Sequence, residues 1–331
     1  MTSGQHPDPF WIRPTSRKVR CDATEWKEPP MSIHSPQCHA PSELRPLATC
    51  PNSSAVLMAG TGTANCELQE RLADRPKAET NSRLERTHRN LLDSPFARKI
   101  SAFAQLSPND LNAIADLCRR RQNFPAGRDM IHAGQICRTA YILNQGWASS
   151  YKILANGTRQ IVGIQIPGDF LGFGSLLLRA SDHNVEPITA VSVSKVPVSF
   201  VLQTFASSPR LASAILWAAS RDQAIVVENL VRIGRRTAVE RVAHLLLELA
   251  IRLRLVGLDD KAGYACPLSQ YFLADALGLS AVHVNRCLRD LREKNLVTFQ
   301  NDRVVFHDFD KLVDFSGFDR TYLDHEGHLL Q

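Results

Sequence analysis

The run Ser269-Gln270-Tyr271-Phe272-Leu273-Ala274-Asp275-Ala276-Leu277-Gly278-Leu279-Ser280, with the following Ala281–Lys294, restricts the fold more than any other part of this chain. Ala274 is a small residue where two helices would cross closely, and Gly278 follows four positions later, where the turn between them needs a left-handed backbone angle. Leu273, Leu277, Leu279, Val284 and Cys287 fill the apolar positions that lock such a pair, and Ser280 caps the second helix. The register predicts a helix-turn-helix.

At about 100° per residue the second helix resolves into faces. Val284, Cys287, Leu288 and Leu291 cluster on the side that must point inward, while Val282, Arg286, Arg289 and Glu293 lie opposite, flanked by His283 and Asn285. That outward set has the chemistry for reading a major groove. Arg286 or Arg289 suits guanine O6/N7, Asn285 suits adenine, and Val282 suits a thymine methyl. Elsewhere two arginines on a helix surface are an ordinary solvated face; inside this motif they are expected base contacts. Ser269, Gln270 and the helix N-termini are expected to hold phosphates. Directly afterwards Leu296–Gln300, an Asn301-Asp302 turn and Arg303–Phe306 form a hairpin pattern, placed where a wing would stand. Arg303 beside the turn is a candidate phosphate contact. From Arg232 to Gln300 there are eleven Lys/Arg against seven Asp/Glu, so four of the chain's six net positive charges sit here, a sign that suits a polyanion.

Upstream, Thr237-Ala-Val-Glu240 has capping-box spacing and opens a helix through Val242, Leu246, Ala250 and Leu253. Before it, a helical pattern runs unbroken from Pro209 to Ile233, with Gly234 as the expected C-cap. Its apolar residues cover two faces: Leu211, Ile215, Ala218 and Ile225 on one, and Leu216, Ala219, Val226, Leu230 and Ile233 on another. A helix with two faces to bury has two partners, expected here to be the preceding domain and a second copy of itself. Between Gln122 and Phe200, eight glycines from Gly127 to Gly174 punctuate short apolar runs: Ala140–Leu143, Ser149–Ile153, Gln160–Ile166 and Thr189–Val193. This texture predicts a jelly-roll-like β-roll, large enough for a small pocket. Ahead of it Ser107-Pro108-Asn109-Asp110 opens a short helix with Leu111, Ile114, Ala115 and Cys118 as its apolar stripe.

The first 94 residues differ. Eleven of the 18 prolines precede Ala97, charges nearly cancel at 12 basic and 11 acidic, and no apolar period is sustained. Such a segment cannot offset its ordering entropy and is expected to be disordered, although a start codon truly lying near Met58 explains it equally well. The N-terminus lacks the apolar core of a secretory signal, and the longest apolar stretches, such as Leu211–Ala219, fall short of the ~20 residues of a membrane span. A cytoplasmic chain without a membrane partner is expected. The eight cysteines, at 21, 38, 50, 66, 118, 137, 266 and 287, include no Cys-x-x-Cys, and are read as scattered thiols in a reducing compartment.

The order of parts resembles the Crp/Fnr family of bacterial transcription regulators from about Pro95 to Asp310. The match is carried by Gly134, Gly146, Asn156-Gly157, Pro167-Gly168-Asp169-Phe170-Leu171-Gly172 and Leu273–Ser280. The resemblance implies an α+β chain: a disordered extension (1–94), a β-roll effector-type domain (95–207), a dimerisation helix (208–234), a winged helix-turn-helix (235–310) and a C-terminal tail (311–331). It also implies a homodimer that binds a roughly palindromic double-stranded DNA site and acts through RNA polymerase. Ser280 and Arg286 match family positions, whereas Ala281 and Val282 replace a polar pair that many members use for base contacts.

The same resemblance places an effector pocket around Gly172, Phe173, Gly174, Ser175 and Glu186. Cyclic-nucleotide-binding members keep a Gly-Glu pair whose carboxylate takes a ribose hydroxyl, and an Arg-Ser/Thr pair that neutralises the phosphate. Here those positions read Gly172-Phe173 and Glu186-Pro187. A phenyl ring accepts no hydrogen bond and a carboxylate repels phosphate, which argues against cyclic AMP and leaves an effector unidentified. No cofactor is assigned. A redox- or gas-sensing regulator stays open, either through an iron–sulfur centre on the cysteines or a haem on His132 or His183. A cupin-like metal enzyme would need several histidines and a carboxylate converging on one strand pair, and the roll holds His132 and His183 without a His-x-His pair. The expected role is not enzymatic.

Overall fold

The computed structural model describes residues 91–260 and 262–324. The expected disorder over residues 1–90, and with it Cys21, Cys38, Cys50 and Cys66, lies outside the described residues. The described residues begin ahead of the expected boundary at 95. Ser94 is the N-cap of α1 (Pro95–Ser101), its Oγ accepting the Ala97 N–H at 3.2 Å. Helix α2 (Pro108–Leu117) starts on a reciprocal capping box between Ser107 and Asp110, and buries Leu111 and Ile114.

The roll is built from β1 (Arg121–Phe124), β2 (Thr139–Gln145), β3 (Ala148–Ile153), β4 (Arg159–Gln165), β5 (Phe170–Leu171), β6 (Asn184–Pro187) and β7 (Val191–Pro197). They form two antiparallel sheets, ordered β1-β7-β2-β5 and β4-β3-β6, around Met130, Ile131, Leu143, Ala148, Val185 and Val193. Thr189 does not start β7 as the sequence pattern suggested. Its hydroxyl instead accepts the Trp147 N–H at 3.0 Å, closing the turn in which Gly146 sits at φ +84°. A Cβ on Gly146 would collide with the Ala190 carbonyl, so glycine is required there.

Helices α3 (Val198–Ser207) and α4 (Pro209–Arg235) follow. Leu211, Ala214, Ile215 and Ala218 of α4 are buried against α1 and the roll with Phe96, Ile100 and Phe170. Gly234 is not the C-cap. The helix continues through it to Arg235, and ends because Arg236 turns extended (ψ 149°) and Thr237 with Glu240 caps α5 (Ala238–Leu255) at once. No left-handed residue is needed at that join.

The C-terminal part contains β8 (Gly263–Ala265), α6 (Gln270–Leu277), α7 (Ala281–Glu293), β9 (Val297–Gln300), β10 (Arg303–Phe306) and α8 (Phe309–Ser316). A three-stranded antiparallel sheet runs β8-β10-β9, with Asn301 and Asp302 both at positive φ in the β9–β10 turn. The residues expected to be a tail from 311 are structured through Asp324. Helix α8 crosses that boundary, and a turn of 3₁₀ helix at Thr321–Leu323 brings Tyr322 within 3.1 Å of the Glu248 carboxylate on α5. Phe318 lies edge-on to His244, ring centroids 4.7 Å apart, which explains why this segment returns to the core.

Buried charge joins roll and C-terminal part. Asp169, in the Pro-Gly-Asp turn, accepts from Lys99 of α1 at 2.8 Å and from Arg252 of α5 at 2.7 Å; Arg252 also donates to the Ile164 carbonyl at 2.8 Å. Burial alone would raise the Asp169 carboxyl, but the Lys99 ammonium and Arg252 guanidinium override it and hold it well below the carboxylate range. Among the described residues no helix is long and apolar enough to cross a membrane.

Candidate nucleic-acid interface

Ser269 caps α6 by accepting the Phe272 N–H at 3.3 Å, and Gly278 ends that helix at φ +63°. Ser280 caps α7 by accepting the His283 N–H at 3.2 Å. Leu273, Leu277, Val284, Cys287 and Leu291 are buried together with Val242 and Leu246 of α5. Leu288, expected among the inward residues, is half-buried at the edge of this core. The two helices are thus fixed to each other by side chains that the apolar spacing placed on facing sides.

The opposite side of α7 is bare. Val282 is 65% exposed, and His283, Asn285, Arg286, Arg289, Arg292 and Glu293 are exposed with it. Asp290 pairs with Lys294, and among the described residues none of Arg286, Arg289, Arg292 and Glu293 has an ion-pair partner, so the three arginines outnumber the one open carboxylate. Three uncommitted guanidinium groups on one helix form a cationic surface. Asn285 Nδ2 donates to Gln270 Oε1 at 3.2 Å, tying the two helices together at the surface. That bond takes one N–H of Asn285 and leaves its Oδ1 to accept from an adenine N6–H and its second N–H to donate to N7.

Sequence reasoning missed three neighbours. Arg292, Thr298 and Gln300 line a hollow with Gln270, Asn285 and Arg289, between the flank of α7 and β9. Arg292 stands three residues after Arg289, a spacing that signalled a shared flank; Thr298 and Gln300 are brought there by the hairpin alone. Arg303 is placed differently from its neighbours, with its guanidinium bonded to Asp260 and pulling that carboxyl below its usual range.

The five expected pocket residues are engaged with different neighbours. Gly172 is at φ +67°, with Ile131 where a Cβ would project. Phe173 lies tilted against Phe170, ring centroids 4.6 Å apart, beside the cluster holding Phe96 and Ile100. Gly174 opens a 3₁₀ turn in which buried Ser175 bonds to Ser181 Oγ at 3.2 Å. Glu186, on β6, pairs with Arg159 at 2.8 Å. A packed ring and a paired carboxylate do not fit a cyclic nucleotide's ribose and phosphate, and the adjacent cation, Arg159, is already held by Glu186 and Asp275.

Nor do the described thiols converge. Cys118 lies with α1 and α4, Cys137 beside Phe124 and Tyr141, and Cys266 and Cys287 in the C-terminal core. Burial pushes the Cys118 thiol up to about 11 and that of Cys266 to about 12, opposite to what a metal-ligating thiolate needs. His132 and His183 each face a neighbouring carboxylate, Asp129 at 3.4 Å and Asp182 at 2.7 Å. Among the described residues no group of three or more His, Cys, Asp or Glu is placed to hold a metal ion.

A helix-turn-helix with a bare cationic second helix, a hairpin wing behind it and a β-roll in front defines a DNA-binding transcription regulator. Residues 240–315 match the Crp-like helix-turn-helix domain and residues 121–208 the cyclic nucleotide-binding domain. The chain is 32% identical to the nitrogen fixation regulation protein FixK of Bradyrhizobium diazoefficiens, over 54% of this chain and 74% of that protein. It is 27% identical to the transcriptional activatory protein AadR of Rhodopseudomonas palustris, over 62% of this chain and 85% of that one. The solved structure of FixK2 from Bradyrhizobium japonicum superposes with a TM-score of 0.53 at 25% identity, covering 59% of this chain and 95% of the other. The chain belongs to the Crp/Fnr family of transcription regulators.

Proposed function

We propose that this regulator works as a homodimer on a roughly two-fold DNA site, each copy laying α7 into a major groove. The observation that carries the reading is the uncommitted face of α7, where Arg286 and Arg289 stand free beside Val282. Arg286 and Arg289 take guanine edges, Asn285 an adenine and Val282 a thymine methyl, with His283 at the flank. Ser269, Gln270 and Ser280, at the helix N-termini, hold phosphates and set the register. Arg303 is a phosphate contact only if DNA displaces Asp260.

Pairing of two copies is supported by α4, whose Leu216 and Leu230 are 62% and 73% exposed on one stripe. A two-fold pair sets two α7 helices about 34 Å apart, one turn of duplex. Bound there, the dimer acts on transcription by helping or hindering RNA polymerase beside it. The roll takes its signal from an effector other than cyclic AMP, a reading supported by Phe173 and Glu186. A protein reading DNA in this way needs no catalytic residues.

Selection of bound duplexes from a random pool, with and without oxygen, identifies the site and any redox dependence together. On the selected duplex Arg286→Ala is expected to cost about 1–3 kcal/mol and to relax preference at one base pair. Unchanged binding in a gel-shift titration at fixed salt removes Arg286 from the interface.

A further inference from the structure

Between the roll and the helix-turn-helix lies one side chain that neither the DNA interface nor the pocket accounts for. Arg159 opens β4, and its guanidinium reaches in two directions. Nη1 donates to Glu186 Oε2 on β6 at 2.8 Å, and Nε donates to Asp275 Oδ2 on α6 at 2.8 Å. Aromatic rings flank it, Tyr151 of the roll at 5.4 Å and Phe272 of α6 at 4.8 Å. Next in sequence, Gln160 Nε2 donates to the Ala276 carbonyl at 3.4 Å.

We infer that Arg159 is a positioning residue that sets the angle of the DNA-reading helices on the roll and couples Glu186 to DNA affinity. Among the described residues Arg159 is the one cation paired with either carboxylate, so without it two acids face each other across the boundary. A guanidinium is suited to this position because its planar fork serves two carboxylates while its faces rest on rings, which a lysine ammonium does not reproduce. Because α6 is locked to α7 through Leu273, Leu277, Val284 and Cys287, a tilt of α6 carries the reading face with it. In a two-fold pair such a tilt changes the separation of the two reading helices, and so penalises a duplex with two half-sites more than one offering a single half-site. The position where a nucleotide-binding relative would carry its phosphate cation is thus occupied by an acid that helps hold the reading head, with no nucleotide involved.

The inference rests on α7 reading DNA, and the test separates the two. Full-length R159Q, R159K, E186Q, D275N and the R159Q/D275N double variant are titrated against the selected duplex, its isolated half-site and a scrambled duplex, with R286A as control. R159Q is expected to weaken the two-half-site duplex about tenfold while shifting the half-site and scrambled duplexes by less than about twofold. E186Q, remote from the reading face, is expected to show a smaller loss of the same kind, R159K to fall between, and the double variant to be no worse than R159Q. Equal loss on all three duplexes, or full affinity in R159Q, overturns the coupling, as does a silent E186Q beside an affected D275N. If R286A is itself without effect, the assignment of α7 fails instead. Should R159Q not fold, the E186Q and D275N variants still decide, since each keeps the arginine and one partner.

Discussion

Helices α4 and α7 each leave one face uncovered, and the faces are opposite in chemistry. On α4 the bare stripe is Leu216, Val226 and Leu230; on α7 it is Val282 with Arg286, Arg289 and Arg292. Apolar side chains held in water at helical spacing are satisfied by a surface of the same kind, the role proposed above for a second α4. Guanidinium groups held apart from carboxylates are satisfied by phosphates and base edges, and that attraction weakens as salt rises. One face therefore suits a lasting assembly and the other a reversible, sequence-dependent contact. Both depend on a third region, the buried Asp169–Lys99–Arg252 cluster that fastens the roll to α5.

The largest effect is expected where that shared frame is broken. Arg252→Ala leaves Asp169 buried with half its compensation, and a loss of about 3–5 kcal/mol in urea unfolding is expected. Acid acts on the same cluster. The Asp169 carboxyl is depressed in the folded chain from an ordinary value of 3.8, so its contribution is present above that pH and is lost as pH falls below it. Unfolding followed between pH 6 and pH 2, set as roughly that range to bracket a carboxylate, should show a steeper acid limb for the wild type than for Asp169→Asn.

Leu230→Asp separates the two faces. Placing a charge on the α4 stripe is expected to give monomers in sedimentation and to weaken the two-half-site duplex by about 100-fold, through loss of the second contact. Unaltered half-site binding alongside would sharpen the contrast, and an intact dimer would break it. Ser280→Ala touches only α7: removal of its cap is expected to lower stability by about 1 kcal/mol, with a smaller change in sedimentation than Leu230→Asp. Smallest is Arg303→Ala. Its guanidinium is engaged by Asp260, so the slope of affinity against salt should change by less than about one phosphate contact.

What was legible in the sequence was local. Caps at Ser107, Thr237 and Ser280, the left-handed turn at Gly278 and the facing of Val284, Cys287 and Leu291 each follow from sterics and hydrogen bonds within a few residues. The misplaced stop at Gly234 shows the same limit from the other side, because its outcome was set by the neighbouring helix's cap. The return of residues 309–324 to the core was hidden because its partners, His244 and Glu248, lie on α5. The placement of Phe173 and Glu186 was beyond a one-dimensional reading as well.

The sequence by itself determined that this protein carries a β-roll, a long two-faced helix and a helix-turn-helix whose outer side is cationic, since composition and period settle those questions residue by residue. Tertiary structure alone decided which charges are spent and which are free. Arg159 meets Asp275 across 116 positions and Arg252 meets Asp169 across 83, while Arg286 and Arg289 meet no carboxylate among the described residues. The reason is physical: an ion pair depends on two groups arriving within a few ångströms, and at such separations arrival is decided by how the whole chain closes on itself.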